Sequence, residues 1–169
     1  MTILAGQTVR RLAPLEPLRE KYVDSNGCSC GLSIAGYDIT LDHDAEFPPG
    51  SFTLVSAAER FVMPNNVVGV VHDKSSLARK GLAVQNTVIE PGWRGFLTME
   101  VSNHSAKYWF DPLLRLFGFR CGIVLSKGDA IAQVLFHFTD KPVEQGYAGK
   151  YQDQPRGPQI PLKEDGTPL

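Results

Sequence analysis

The chain reads as a mainly β domain. Short runs in which apolar and polar residues alternate point that way, and so does the density of chain-bending residues between them. Sixteen glycines and twelve prolines punctuate the 169 residues at short intervals, a usage modestly above average. Closure into a barrel or sandwich would cover the strand edges. No internal repeat or domain boundary is visible, so residues 1–169 are read as one domain.

The elements follow in order. Residues 8–15 suit a short N-terminal helix that stops near Pro14 or Pro17, because proline has no N–H to donate. Ala35-Gly36-Tyr37-Asp38 suits a glycine bend into a strand. Residues 52–55 and the β-branched run 67–71 are expected strands. Residues 75–80 suit one or two helical turns capped by Ser75 or Asp73. Ile89-Glu90-Pro91-Gly92-Trp93-Arg94-Gly95 has the form of a tight hairpin. Pro91 and Gly92 would fill the centre of a type II turn, which needs positive φ at its second central residue.

Residues 96–102 alternate, with Leu97, Met99 and Val101 on one face and Thr98, Glu100 and Ser102 on the other. Residues 108–124 are very apolar for a connection, which suits a packed loop, a short amphipathic helix or a subunit contact. Residues 130–138 alternate again, placing Ala132, Val134, Phe136 and Phe138 on one side. From about residue 150 a mobile tail is expected. Beyond Gln154 it is rich in Pro, Gly and charge, suited to draping over a surface or ordering on a ligand.

Composition bounds the function. With 43% hydrophobic and 21% charged residues, the chain suits a soluble domain with a real core. The formal net charge of -1 argues against a nucleic-acid partner, which usually requires a basic excess, but leaves room for a local pocket that binds one small anion. No apolar run approaches the roughly 18 residues of a membrane span. The N-terminus lacks a basic-then-apolar signal pattern, so a cytoplasmic location is expected. Cys28, Cys30 and Cys121 do not form a disulfide framework, and His43, His72, His104 and His137 are scattered. No zinc is therefore expected, and the cysteines read as reduced thiols.

Four segments carry candidate chemistry, and each alone also has a plain structural reading. Ala35 to Asp38 is one, or simply a β-turn. Lys74-Ser75-Ser76-Leu77-Ala78-Arg79 sets two cations and two hydroxyls around a helix start, where backbone N–H groups attract phosphate. It could equally be a capped surface turn. The third is the turn at Glu90 leading into the strand of Glu100, which alone reads as a solvated glutamate. Gly149-Lys150-Tyr151-Gln152-Asp153-Gln154 offers a cation, an aromatic ring and amides that can close over a ligand, or it is an ordinary polar tail.

Order and spacing unite these segments. Gly31-Leu32-Ser33-Ile34-Ala35-Gly36-Tyr37-Asp38, Phe47-Pro48-Pro49-Gly50-Ser51-Phe52 and Glu59-Arg60-Phe61-Val62-Met63-Pro64 are followed by the stretches 74–82 and 89–103. Gly128-Asp129-Ala130-Ile131-Ala132-Gln133 and residues 149–154 complete the series. From about residue 29 to 158 the chain resembles the dCTP deaminase branch of the trimeric dUTPase-like superfamily. That resemblance implies a distorted β-barrel or jelly-roll of the dUTPase-like type, with the two short helices noted above. It also implies a homotrimer with active sites between subunits, and hydrolysis of the cytosine 4-amino group of dCTP to dUTP and ammonia without zinc. The His-x-Glu and Pro-Cys-x-x-Cys pattern of zinc deaminases is not seen in this chain.

By the same resemblance Glu100 is the general base and proton relay. Ser75 helps hold the attacking water, and Arg79 orients Glu100 or binds phosphate. Lys74, Ser76 and Lys150 are implied triphosphate ligands. Tyr151 and Gln154 would close over the nucleotide, and Tyr147 would pack on the ribose or base. Mg²⁺ would bind through the triphosphate oxygens. Ligands would include dCTP, with dTTP or dUTP as further candidates.

Three departures keep alternatives open. Lys74 stands where the family usually has Arg, and Lys lacks the bidentate fork, so a dCMP-acting deaminase is one alternative. The linker Gln85-Asn86-Thr87-Val88, in a region that helps read the base, is shorter than in the familiar bacterial deaminases. Glu90 stands where the superfamily normally has Asp, which counts against a pure dUTPase. A bifunctional dCTP deaminase/dUTPase forming dUMP and a non-catalytic nucleotide-binding sensor are the remaining alternatives.

Overall fold

A computed structural model describes residues 2–106, 113, 116–117 and 122–169 of the chain. In chain order, α1 (Gly6–Leu12) precedes β1 (Leu15–Glu16), β2 (Tyr22–Val23), β3 (Ser29–Leu32), β4 (Tyr37–Thr40) and β5 (Ala45–Phe47). Next come β6 (Phe52–Val62), β7 (Val67–Asp73), α2 (Ser75–Ala78), β8 (Leu82–Val84) and β9 (Val88–Ile89). The last are β10 (Arg94–Asn103), β11 (Ile123–Leu125) and β12 (Ala130–Phe138). The apolar run from residue 108, with Cys121, falls for the most part outside the described residues.

The strands form a six-stranded sheet, β2-β3-β4-β12-β7-β9, a four-stranded sheet, β1-β6-β10-β8, and a ribbon of β11 with β5. Neighbours in these sheets pair antiparallel. One apolar cluster joins the two larger sheets: Tyr37, Ile39, Val134 and Phe136 from one, Val55, Phe61, Met99 and Val101 from the other, all essentially without solvent exposure. Gly36 shows why the packing is close. Its φ is +99°, and a Cβ there would lie 2.4 Å from the Val134 carbonyl oxygen, so only glycine fits where the chain enters β4.

The runs expected as strands at 52–55, 67–71, 96–102 and 130–138 are strands; pairing extends the first three, and β12 matches its run. Three local expectations need correction. The first helix spans Gly6–Leu12 rather than 8–15. Ala13 takes a left-handed conformation, φ 45°, and ends the helix before Pro14 is reached, and Leu15 then pairs with Phe61. The second helix is the single turn Ser75–Ala78, and neither Ser75 nor Asp73 caps it. Lys74 holds the cap position without a side-chain bond, while Asp73 Oδ1 accepts the Val84 N–H at 2.7 Å.

The third correction concerns the turn at Glu90. It has the expected geometry: Gly92 lies at φ 80°, and the Trp93 N–H donates to the Glu90 carbonyl at 3.1 Å. It is not a hairpin, because β9 pairs with β7 while β10 pairs with β6 and β8. The turn instead carries the chain from one sheet to the other. Among the described residues no helix is long and apolar enough to cross a membrane.

Candidate active site

Inward packing of Met99 and Val101 turns Glu100 to the other side of β10, opposite Leu54 on β6. There Glu100 lines a cavity of about 460 Å³ whose wall includes Leu54, Leu97 and Trp93. Its carboxylate Oε2 accepts a hydrogen bond from the Thr87 hydroxyl at 3.1 Å, and its carbonyl accepts the Gln85 N–H at 2.9 Å. Glu90, Tyr147, Tyr151 and Gln154 line the same cavity. Five of the ten sequence-predicted site residues therefore meet in one place.

The cross-sheet turn helps to assemble them. A Cβ on Gly92 would stand 2.7 Å from the Gly146 Cα, so this glycine lets the turn press against the segment that carries Tyr147. The Tyr147 N–H donates to the Pro91 carbonyl at 2.8 Å. Trp93 Nε1 donates to the Tyr151 carbonyl at 2.7 Å, and the Tyr151 hydroxyl accepts the Leu162 N–H at 2.9 Å. The buried Gln154 side chain donates to the Phe96 carbonyl at 2.9 Å and to Thr98 Oγ1 at 2.7 Å. A parallel bridge joins Gly95 to Gln154, so the stretch after residue 150 lies along the start of β10.

The remaining candidates lie elsewhere. Lys74 and Ser75 line a second cleft, which shares no lining residue with the first. Lys74 is buried, with Nζ 3.1 Å from Asp38 Oδ2 and 3.4 Å from Ser29 Oγ. Ser75 and Arg79 are exposed on the α2 turn, and Ser76 Oγ accepts a weak bond from the Cys28 thiol at 3.6 Å. Lys150 pairs with Glu164 at 2.9 Å and sits 5.5 Å from the centre of the Tyr151 ring. A single chain does not bring Ser75 and Arg79 into the Glu100 cavity.

Two side chains in the cavity were not singled out by the sequence. Thr87 lies in the linker 85–88, which the resemblance ties to reading the base, but no sequence signal assigned its side chain a role of its own. Thr98 shares the polar face with Glu100, which was the available signal. Its hydroxyl also accepts the Gln159 N–H at 2.9 Å. Among the described residues no group of three or more His, Cys, Asp or Glu is placed to hold a metal ion. Burial pushes the Cys30 thiol up to about 12 and lowers the pKa of His137, which lies near His72.

A family model described as dCTP deaminase-like matches residues 35–139. The chain is 32% identical over 172 residues to a dCTP deaminase of Campylobacter fetus subsp. fetus, covering 83% of this chain and 85% of that one. In three dimensions it is similar to the 2'-deoxycytidine 5'-triphosphate deaminase of Agrobacterium tumefaciens, with TM-score 0.56 and 18% identity over 81% of this chain and 48% of that one. It is also similar to native EIAV dUTPase, with TM-score 0.50 and 21% identity over 67% of this chain and 82% of that one. At these identities the structural likeness establishes the mainly β, dUTPase-like fold.

Proposed function

The chain belongs to the dCTP deaminase-like family, and from that premise we propose a chemistry for its site. The protein is a dCTP deaminase that hydrolyses the 4-amino group of the cytosine to give dUTP and ammonia. The observation that carries this reading is Glu100, a carboxylate on the wall of a cavity large enough for a nucleoside.

The residues divide the work as follows. Glu100 takes a proton from a water that attacks C4 of the ring and passes it to N3. The hydroxyl proton of the resulting adduct then moves through Glu100 to the amino group. The C4–N bond breaks, ammonia leaves, and C4 keeps the oxygen as a carbonyl. This activation of water needs no metal bound to the protein. Tyr147, Tyr151 and Gln154 hold the nucleoside from the side of the tail. A triphosphate substrate would bring Mg²⁺ with it, which would offset the phosphate charge, and no side chain of the cavity is assigned to the metal.

The second cleft is the complementary half. There Ser75 and Ser76, with the amides of their turn, and Lys74 bind phosphate, while Lys150, beside the Tyr151 ring that lines the Glu100 cavity, binds it from the tail. Ser75 also holds the attacking water, and Arg79 orients Glu100. Because Lys74, Ser75, Ser76 and Arg79 lie apart from the Glu100 cavity within one chain, a homotrimer supplies them from a neighbouring subunit. A triphosphate does not cross membranes unaided, so the enzyme works where the nucleotide pool is, in the cytoplasm.

Separate incubations with dCTP, dCMP and dUTP, followed by chromatography of the products, test the reading. Ammonia and dUTP from dCTP are expected. No ammonia from any of the three would overturn it. Release of dUMP and pyrophosphate as well would select the bifunctional alternative, which Glu90, standing on the same cavity in place of Asp, counts against.

A further inference from the structure

Glutamate has three rotatable side-chain bonds, and a general base must present one oxygen in one place. The structure engages the other oxygen: Oε2 of Glu100 accepts the Thr87 hydroxyl at 3.1 Å. Thr87 is itself fixed from two sides. Three residues before it, Val84 pairs with Val101 of β10, and the Gln85 N–H donates to the Glu100 carbonyl at 2.9 Å. The Thr87 carbonyl accepts the Val71 N–H at 3.0 Å, and the next residue, Val88, pairs with Val70 of β7. The chain thus passes from one sheet to the other in only three residues, Gln85, Asn86 and Thr87. A β-branched side chain there is also stiff at χ1.

We propose that Thr87 is a positioning residue for the deamination: its hydroxyl anchors Oε2 of Glu100 and leaves Oε1 aimed into the cavity to take the proton from water. This rests on the deaminase reading above. The role belongs to kcat, because the bond orients the base rather than the nucleotide. A misplacement of about 1 Å at a reacting group costs roughly 10²-fold in rate.

The test compares T87V, which keeps the shape and loses the donor, with T87S, which keeps the donor. Initial rates of ammonia release from dCTP are measured at saturating and limiting substrate, and thermal melts report folding. T87V is expected to lose about 10- to 100-fold in kcat with KM within about twofold of wild type. T87S is expected to retain kcat within about threefold, since its hydroxyl makes the same bond. T87A is run alongside, so that an unfolded T87V does not leave the question open. Wild-type kcat in T87V, or equal losses in T87V and T87S, would overturn the role of Thr87. A wild-type protein that releases no ammonia would overturn the deaminase reading itself, which is a separate result.

Discussion

Lys74 and Asp38 form a buried ion pair: Nζ lies 3.1 Å from Oδ2, and the two side chains are 8% and 7% exposed. The pair joins the start of the α2 turn to β4, 36 positions earlier in the chain. Removing one member leaves the other charge buried and unpaired, which costs about 3–5 kcal/mol. K74M is therefore expected to lose stability on that scale in urea denaturation, and K74M/D38N to regain part of it. A K74M protein within about 0.5 kcal/mol of wild type would remove the structural role. The pairing also explains why Lys74 is not an isolated surface cation: any phosphate it binds competes with Asp38.

Thr98 holds the C-terminal stretch down. Its hydroxyl oxygen accepts both Gln154 Nε2 at 2.7 Å and the Gln159 N–H at 2.9 Å. T98V leaves both donors without this acceptor, at a cost of about 1–3 kcal/mol. Arg156 lies between them, its guanidinium 4.6 Å from the centre of the Phe96 ring. Trypsin is expected to cut after Arg156 faster in T98V than in wild type, while the melting of the β domain changes little. Equal cleavage rates would show that Thr98 does not hold the tail.

Glu59 ties β6 to β4. Its carboxylate accepts the Thr40 N–H and the Thr40 hydroxyl, both at 3.0 Å. Burial raises its pKa above the ordinary value of 4.5, outweighing these donors. The folded state therefore favours the protonated acid. Its stabilising contribution is complete below pH 4.5 and is lost as pH rises through the higher folded-state pKa. An amide keeps both bonds without titrating, since the Thr40 hydroxyl can accept as well as donate. Relative to wild type, E59Q is expected to gain stability as pH rises above 4.5. A wild-type-minus-E59Q difference that stays constant with pH would contradict this.

Much of the fold was legible because it is local. Period-two alternation marked β10 and β12, short β-type runs marked β6 and the β-branched β7, and Pro91-Gly92 marked a type II turn. Pairing partners are not local, so the turn at Glu90 looked like a hairpin although its strands join different sheets. The same limit explains the helix cap. Asp73 has the chemistry of a capping residue, but the Val84 N–H, 11 positions later, takes its carboxylate. At the site, Glu100 was visible from its polar strand face and its motif. The linker of Thr87 was marked as a base-reading region, but its bond to Glu100 was not legible, because only the register of β8 and β10 sets the hydroxyl beside the carboxylate.

The most direct measurement is ammonia release from dCTP by E100Q, made together with a nucleotide-binding titration of the same protein. Glutamine keeps the size of the side chain and cannot accept a proton as the base. The account predicts that ammonia release disappears while dCTP still binds with an affinity close to that of wild type. An E100Q protein that deaminates dCTP at the wild-type rate would contradict it, and would move the water-activating group to another residue.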